Sequence, residues 1–153
     1  MAGNIFWKEG SLVTLSSSQG SLATATAAAA GVNMSCVSGG NCAEAFTGQF
    51  ALTCQWATVT GIAAGTDVAD LYLVPSIDGT NFPAIGTGVI SPNHYVGSFI
   101  CELAPTASTN MLFVSPEVDL LPRLYKAYII NQSGQTMSSS WSLTVVVDQG
   151  QYT

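Results

Sequence analysis

Apolar positions along this chain recur at every second residue over much of its length, and no segment sustains a helical period. Phe50, Leu52, Cys54, Trp56 and then Val59 mark a strand with one apolar face and Thr or Gln on the other. Leu71-Tyr72-Leu73-Val74 is a second strand, stopped by Pro75 and turned at Asp78-Gly79, a pair that tolerates positive φ and is expected to close a hairpin. Residues 82–92 carry Pro and repeated Gly, so they form a loop with at most an edge strand. Residues 95–103 alternate again and residues 111–114 form a short strand. Residues 124–131 and 141–147 are the two clearest strands, joined by Gln132-Ser133-Gly134-Gln135-Thr136. Seven or eight strands at close, turn-punctuated spacing predict an all-β fold, an antiparallel β-sandwich with the jelly roll as the favoured variant.

Residues 1–35 read differently. Residues 11–15 form one short strand, followed by small-residue stretches at 16–20 and 24–30. The Ala run has helix propensity, but Thr neighbours and the Gly20 and Gly31 brackets leave room for only a couple of turns. The expectation is an extended N-terminal arm over residues 1–35 and a sandwich domain over residues 36–153. Ile5, Phe6 and Trp7 fall outside the sandwich pattern, and bulky apolar groups on an arm need burial somewhere. They are the candidate inter-subunit contact, with folding back onto their own domain as the alternative.

With 153 residues the chain has length for one domain with a proper core. Charged residues make up 8%, far below the usual quarter. A domain free in solution keeps apart from its neighbours by surface charge, so this composition favours a subunit covered by neighbours in an assembly. The net charge is −6, with Lys8, Arg123 and Lys126 the only cations. A polyphosphate backbone needs several cations on one face, which argues against nucleic acid as a partner. The N-terminus lacks the pattern of a secretory signal, and residues 22–34 are too short and too weakly hydrophobic to span a bilayer, so no membrane role is expected.

Chemistry is sparse. The single histidine, His94, lies in Ser91-Pro92-Asn93-His94-Tyr95, and no Gly-x-Ser-x-Gly elbow surrounds any serine. It is expected to cap a loop or pack on Tyr95. Asp67 and Asp70 could share a cation, but a solvated turn explains them as well; Asp78 is explained by turn geometry. Glu117 and Asp119 flank Val118 with no second carboxylate across a cleft. Cys36, Cys42, Cys54 and Cys101 have no CxxC spacing, and Cys54 and Cys101 read as core thiols. Cys36 and Cys42 flank a flexible loop and could bridge in an oxidising medium, but are expected reduced in a cytoplasm. The chain is therefore read as a non-enzyme without cofactor or metal.

The phrases "LYLVPSIDGTNFP" (71–83), "NHYVGSF" (93–99) and "LPRLYKAYIINQSGQTM" (121–137) resemble small β-sandwich structural proteins of tailed bacteriophage virions, of the capsid cement or decoration type. The resemblance spans roughly residues 69–147. It implies a protein that binds the major capsid protein at capsomer junctions on the outer capsid surface of the virion. It further implies assembly in the bacterial host cytoplasm as a homo-oligomer, with a trimer favoured. Two alternatives stand beside it: a carbohydrate-binding module of a tail fibre or spike, and a neck or head–tail adaptor subunit. A sugar site would show exposed aromatics on one sheet face, for which Tyr72, Phe82 and Tyr95 are candidates, although alternation is expected to turn some of them inward.

Overall fold

The computed structural model describes residues 5–17, 19–85 and 89–152. Among these residues nine strands build two antiparallel sheets packed face to face: β1 (Ile5–Ser16), β2 (Ala27–Ala29), β3 (Met34–Ser35), β4 (Ala45–Cys54), β5 (Asp67–Pro75), β6 (Tyr95–Ile100), β7 (Met111–Asp119), β8 (Leu124–Asn131) and β9 (Ser142–Tyr152). One sheet runs β1-β9-β4-β7 and the other β2-β8-β5-β6. Strands β2 and β3 pair with successive stretches of β8 and so share one lateral position. The pairings are nested: β1 with β9, β2 and β3 with β8, β4 with β7, and β5 with β6. The chain is thus an all-β antiparallel sandwich.

The period-two pattern fills the space between the sheets. Phe50, Leu52 and Cys54 of β4, beside Leu143, Val145 and Val147 of β9, share one buried cluster with Leu71 and Leu73 of β5 and Ala127 and Ile129 of β8 in the other sheet. Trp56 and Trp141 are buried just outside β4 and β9, where their indole nitrogens donate to Ser133 Oγ and the Gly20 carbonyl, each at 3.0 Å. A buried indole N–H needs such an acceptor, which is why both rings sit where loop oxygens can reach them.

The N-terminal third is not a free arm. Nine register pairs join β1 to β9, and Leu15, Leu22, Ala30 and Met34 belong to the core cluster. The division expected at residue 35 therefore falls inside the sandwich. Alanine and threonine carry too weak a hydrophobic alternation to announce β2, whose pairing with β8 is fixed by backbone hydrogen bonds. The backbone of Ile5, Phe6 and Trp7 lies opposite Tyr152, Gln151 and Gly150, and the side chains of these three residues lie outside the described residues.

The hairpin expected at Asp78-Gly79 also resolves differently. Gly79 does take a left-handed backbone, with φ at 74°, so the turn is where the sequence puts it. It does not lead directly into the partner strand. Ile85 and Ile90 beyond it pack on Val74 and Ile130, on the outside of the β2-β8-β5-β6 sheet. The chain then re-enters through a single 3-10 turn, Pro92–His94, and pairs as β6. Strands β6 and β7 are the edges of opposite sheets, and they approach at Gly97, where a Cβ would stand 3.2 Å from Pro116 Cδ.

Where the chain leaves β8 to cross between sheets, Asn131 is fully buried and fully bonded. Its Nδ2 donates to the carbonyls of Leu22 (2.8 Å) and Gln135 (2.7 Å), while its Oδ1 accepts from Ser133 N (3.0 Å) and Oγ (2.7 Å). Truncation leaves several buried groups without partners, so Asn131→Ala is expected to lower unfolding free energy by roughly 2–4 kcal/mol. Urea denaturation checks this; a midpoint unchanged from the parent would show that the amide does not hold the crossover.

Candidate functional site

Alternation in β5 turns Leu71 and Leu73 inward, and so turns Asp70, Tyr72 and Val74 onto the outer face of the β2-β8-β5-β6 sheet. Register then aligns tyrosines from three strands: Tyr95 of β6 lies opposite Tyr72 of β5, and Tyr72 opposite Tyr128 of β8. The Tyr72 and Tyr95 rings meet edge to face, 5.6 Å between centroids. Tyr95 is 47% exposed, while Tyr72 and Tyr128 are half-buried beside Ile85 and Ile90. Burial raises the Tyr72 phenol above its ordinary pKa, with Asp70 and Tyr95 adding to the shift; burial alone raises that of Tyr128.

Polar groups border this row. Asp70 accepts a hydrogen bond from Ser98 Oγ on one oxygen and from Gln132 Nε2 on the other, both at 2.6 Å. The Tyr95 hydroxyl and Ser98 Oγ are 2.8 Å apart. On the other side, the Lys126 ammonium stands 5.8 Å from the Tyr128 ring centre and 6.0 Å from that of Phe82, the geometry of a cation–π contact. All three aromatics singled out in the sequence, Tyr72, Phe82 and Tyr95, therefore lie outside the inter-sheet core. Tyr128, Ser98 and Gln132 were missed. The inward phase of Ala127 and Ile129 could have placed Tyr128 outward, but only the register brings it beside Tyr72.

The opposite sheet has a different outer face. Cross-strand rows there read Leu112-Thr53-Ser142, Val114-Ala51-Thr144-Thr14 and Glu117-Gln49-Val146-Leu12. Leu112 is 65% exposed, Leu12 63% and Val114 49%. Among the described side chains, charge appears toward one end, at Glu117, Asp119 and Asp148. Beside the exposed leucine, a groove of about 210 Å³ between Ile100, Leu103 and Met111–Val114 opens along the β6–β7 edge. At the far end of the sandwich, a cleft of about 420 Å³ lies between Val37, Ile77, Gly79 and Arg123.

The remaining sequence candidates are dispersed. His94 ends the 3-10 turn, its amide donating to the Ser91 carbonyl at 3.0 Å. Among the described residues no three His, Cys, Asp or Glu side chains gather to hold a metal. Asp67 stands at the start of β5 opposite Ile100, and Glu117 and Asp119 are exposed on edge strand β7. The four cysteines are buried free thiols. Hydrogen bonding with Cys42 and burial hold the Cys36 thiol protonated, and burial with the neighbouring Cys101 pushes Cys54 up to about 12. Comparison with protein-family models and with curated proteins finds no match to this chain.

Two outcomes follow. The hydrogen bond from Cys36 lowers the Cys42 thiol, whereas Cys36, Cys54 and Cys101 are all raised. At about pH 8 a thiol-specific disulfide reagent is therefore expected to leave those three unmodified in the native protein and to titrate four after unfolding, because the thiolate is the reactive form. Rapid native labelling of any of the three would contradict the packing. Asp78 accepts from Asn81 N (2.7 Å) and Nδ2 (2.7 Å) and from Thr80 N (2.9 Å), which hold its carboxyl well below the usual range. A depressed folded pKa gives support to the turn that is complete above the unfolded value and is lost only as pH falls through the folded one. The Asp78 carboxyl carbon should therefore still report a carboxylate by NMR at about pH 3, where a free aspartate is mostly protonated.

Proposed function

We propose that this protein is a bacteriophage virion structural protein, a capsid cement or decoration protein that stabilises the shell at capsomer junctions on its outer surface. The observation that carries the reading is the uncharged end of the outer face of the β1-β9-β4-β7 sheet, away from Glu117, Asp119 and Asp148. Leu112 and Val114 stand there among threonine, serine and alanine, over a surface that a solitary soluble domain would furnish with charge. Such a face is inexpensive to dehydrate, since it strips water from few strongly solvated groups. Its partners under this reading are the major capsid protein and further copies of this chain, a trimer being the favoured arrangement. Modest contacts repeated at several neighbours combine into tight attachment.

Strand order supports the same reading. If β2 and β3 are counted as one position, eight strands fold as a nested hairpin in which the first pairs with the last, the second with the seventh, and so inward. We assign this wiring to the jelly roll, an architecture common in viral capsid and lectin domains. Fold by itself leaves the role open, and the exposed face bears the weight of the argument.

Quantitative mass spectrometry of purified particles of the encoding phage is expected to find the chain near-stoichiometric with the major shell protein; its absence would overturn the reading. The double variant Leu112→Lys, Val114→Lys should drop out of particles. Both side chains point into solvent, so its own unfolding free energy should move by no more than about 0.5 kcal/mol. Undiminished incorporation of that variant would move docking away from this face.

A further inference from the structure

We propose that the tyrosine row Tyr95-Tyr72-Tyr128, with Asp70, Gln132 and Lys126 at its border, is a binding site for neutral saccharide. A sugar ring offers an apolar face of C–H groups and a rim of hydroxyls. It is held where aromatic faces meet the first and fixed polar groups meet the second. The outer face of the β2-β8-β5-β6 sheet has both. Its rings come from three adjacent strands at consecutive positions, so the site is an extended strip across the sheet, suited to an oligosaccharide. Asp70 is fixed by Ser98 and Gln132 with one hydrogen bond to each oxygen, which leaves acceptor capacity on both for ligand hydroxyls. The hydroxyls of Tyr72 and Tyr128 make no hydrogen bond among the described residues.

Charge selects the ligand class. The row is bordered by one carboxylate, Asp70, and one ammonium, Lys126, with Asp67 farther off at the start of β5, so it attracts neither sign strongly. A single cation cannot hold a nucleic-acid backbone. A dry protein interface is disfavoured because it would have to bury the Asp70 and Lys126 charges, whereas a polyhydroxylated ligand keeps both hydrogen-bonded. The inference does not depend on the virion reading. The two are compatible, since the row lies on the sheet opposite the one that carries Leu112 and Val114.

The test is an array of immobilised neutral oligosaccharides of glucose, galactose, mannose and N-acetylglucosamine, with sialylated and sulfated glycans as charged controls, probed with the full chain. Wild type is expected to bind at least one neutral glycan in the micromolar to millimolar range. Tyr95→Ala should weaken that binding by about tenfold or more, and Tyr95→Phe, which keeps the ring, should largely preserve it. Gln132→Ala should weaken it by releasing Asp70, and Leu112→Lys on the opposite sheet should leave it intact. Thermal melts accompany each variant; the exposure of Tyr95 leaves its fold intact. No neutral glycan bound at millimolar concentration, binding confined to charged glycans, or binding retained by Tyr95→Ala would each overturn the proposal. So would a Tyr95→Ala chain that binds glycans normally yet fails to enter particles, because the row would then be a protein docking surface. Particle content alone tests the virion reading, so the failure of one is distinguishable from the failure of the other.

Discussion

The arrangement of both sheets depends on a buried amide. Asn131 ends β8 at the point where the chain must leave one sheet and reach the other, and its four hydrogen bonds close on Leu22, Ser133 and Gln135. Ser133 Oγ in turn accepts from the Trp56 indole beyond β4, so one polar cluster ties the N-terminal third, the first long core strand and the crossover together. In a low-dielectric interior each of these groups would be costly if left alone, and satisfied together they permit a single arrangement. The consequence reaches the surface. The amide of Gln132 bonds the Val68 carbonyl, which holds Gln132 against β5 where its side chain can reach Asp70.

Nesting makes this crossover more consequential than a local turn would be. β1 pairs with β9, so the sheet is completed only when the two ends of the chain meet, and closure of such long loops precedes most of the stabilising contacts. Local devices supply fixed points along the way. The Asp78 carboxylate organises its own turn through Thr80 and Asn81, and Gly97 lets the two edge strands approach at Pro116.

What could be read from the sequence was the phase of each strand; what could not was the partner of each strand. Alternation placed Phe50, Leu52, Cys54 and Trp141 correctly in the core because burial on one face of a strand is a period-two signal carried by the strand itself. β2 escaped because its three alanines have no large side chain to alternate, and β1 extended past its expected bounds because pairing with β9 is a property of both segments. The Asp78-Gly79 turn was identified from its chemistry, but its role as a hairpin closure was not, since the connection to β6 is set by Ile85 and Ile90 covering Val74 and Ile130. The tyrosine row failed for the same reason. Tyr72, Tyr95 and Tyr128 each point outward by phase, but a register one residue different would have scattered them.

The two outer faces differ in what it costs to cover them, and this difference orients the molecule. Covering Leu112, Val114 and their threonine neighbours removes apolar surface from water and leaves backbone groups already paired within the sheet. Covering the tyrosine row removes the Asp70 carboxylate and the Lys126 ammonium from water. Asp70 retains only Ser98 and Gln132 as donors, while the Lys126 contacts to Phe82 and Tyr128 are ring faces that cannot replace a full hydration shell. A dry contact is therefore favoured at the Leu112 and Val114 end of the β1-β9-β4-β7 side, away from Glu117, Asp119 and Asp148, and opposed at the tyrosine row of the β2-β8-β5-β6 side. A subunit held to a surface by the first face presents the second to solvent, since the two are back to back across a single core. The aromatic row then faces the medium, where a small hydroxylated ligand can reach it without displacing the contact beneath.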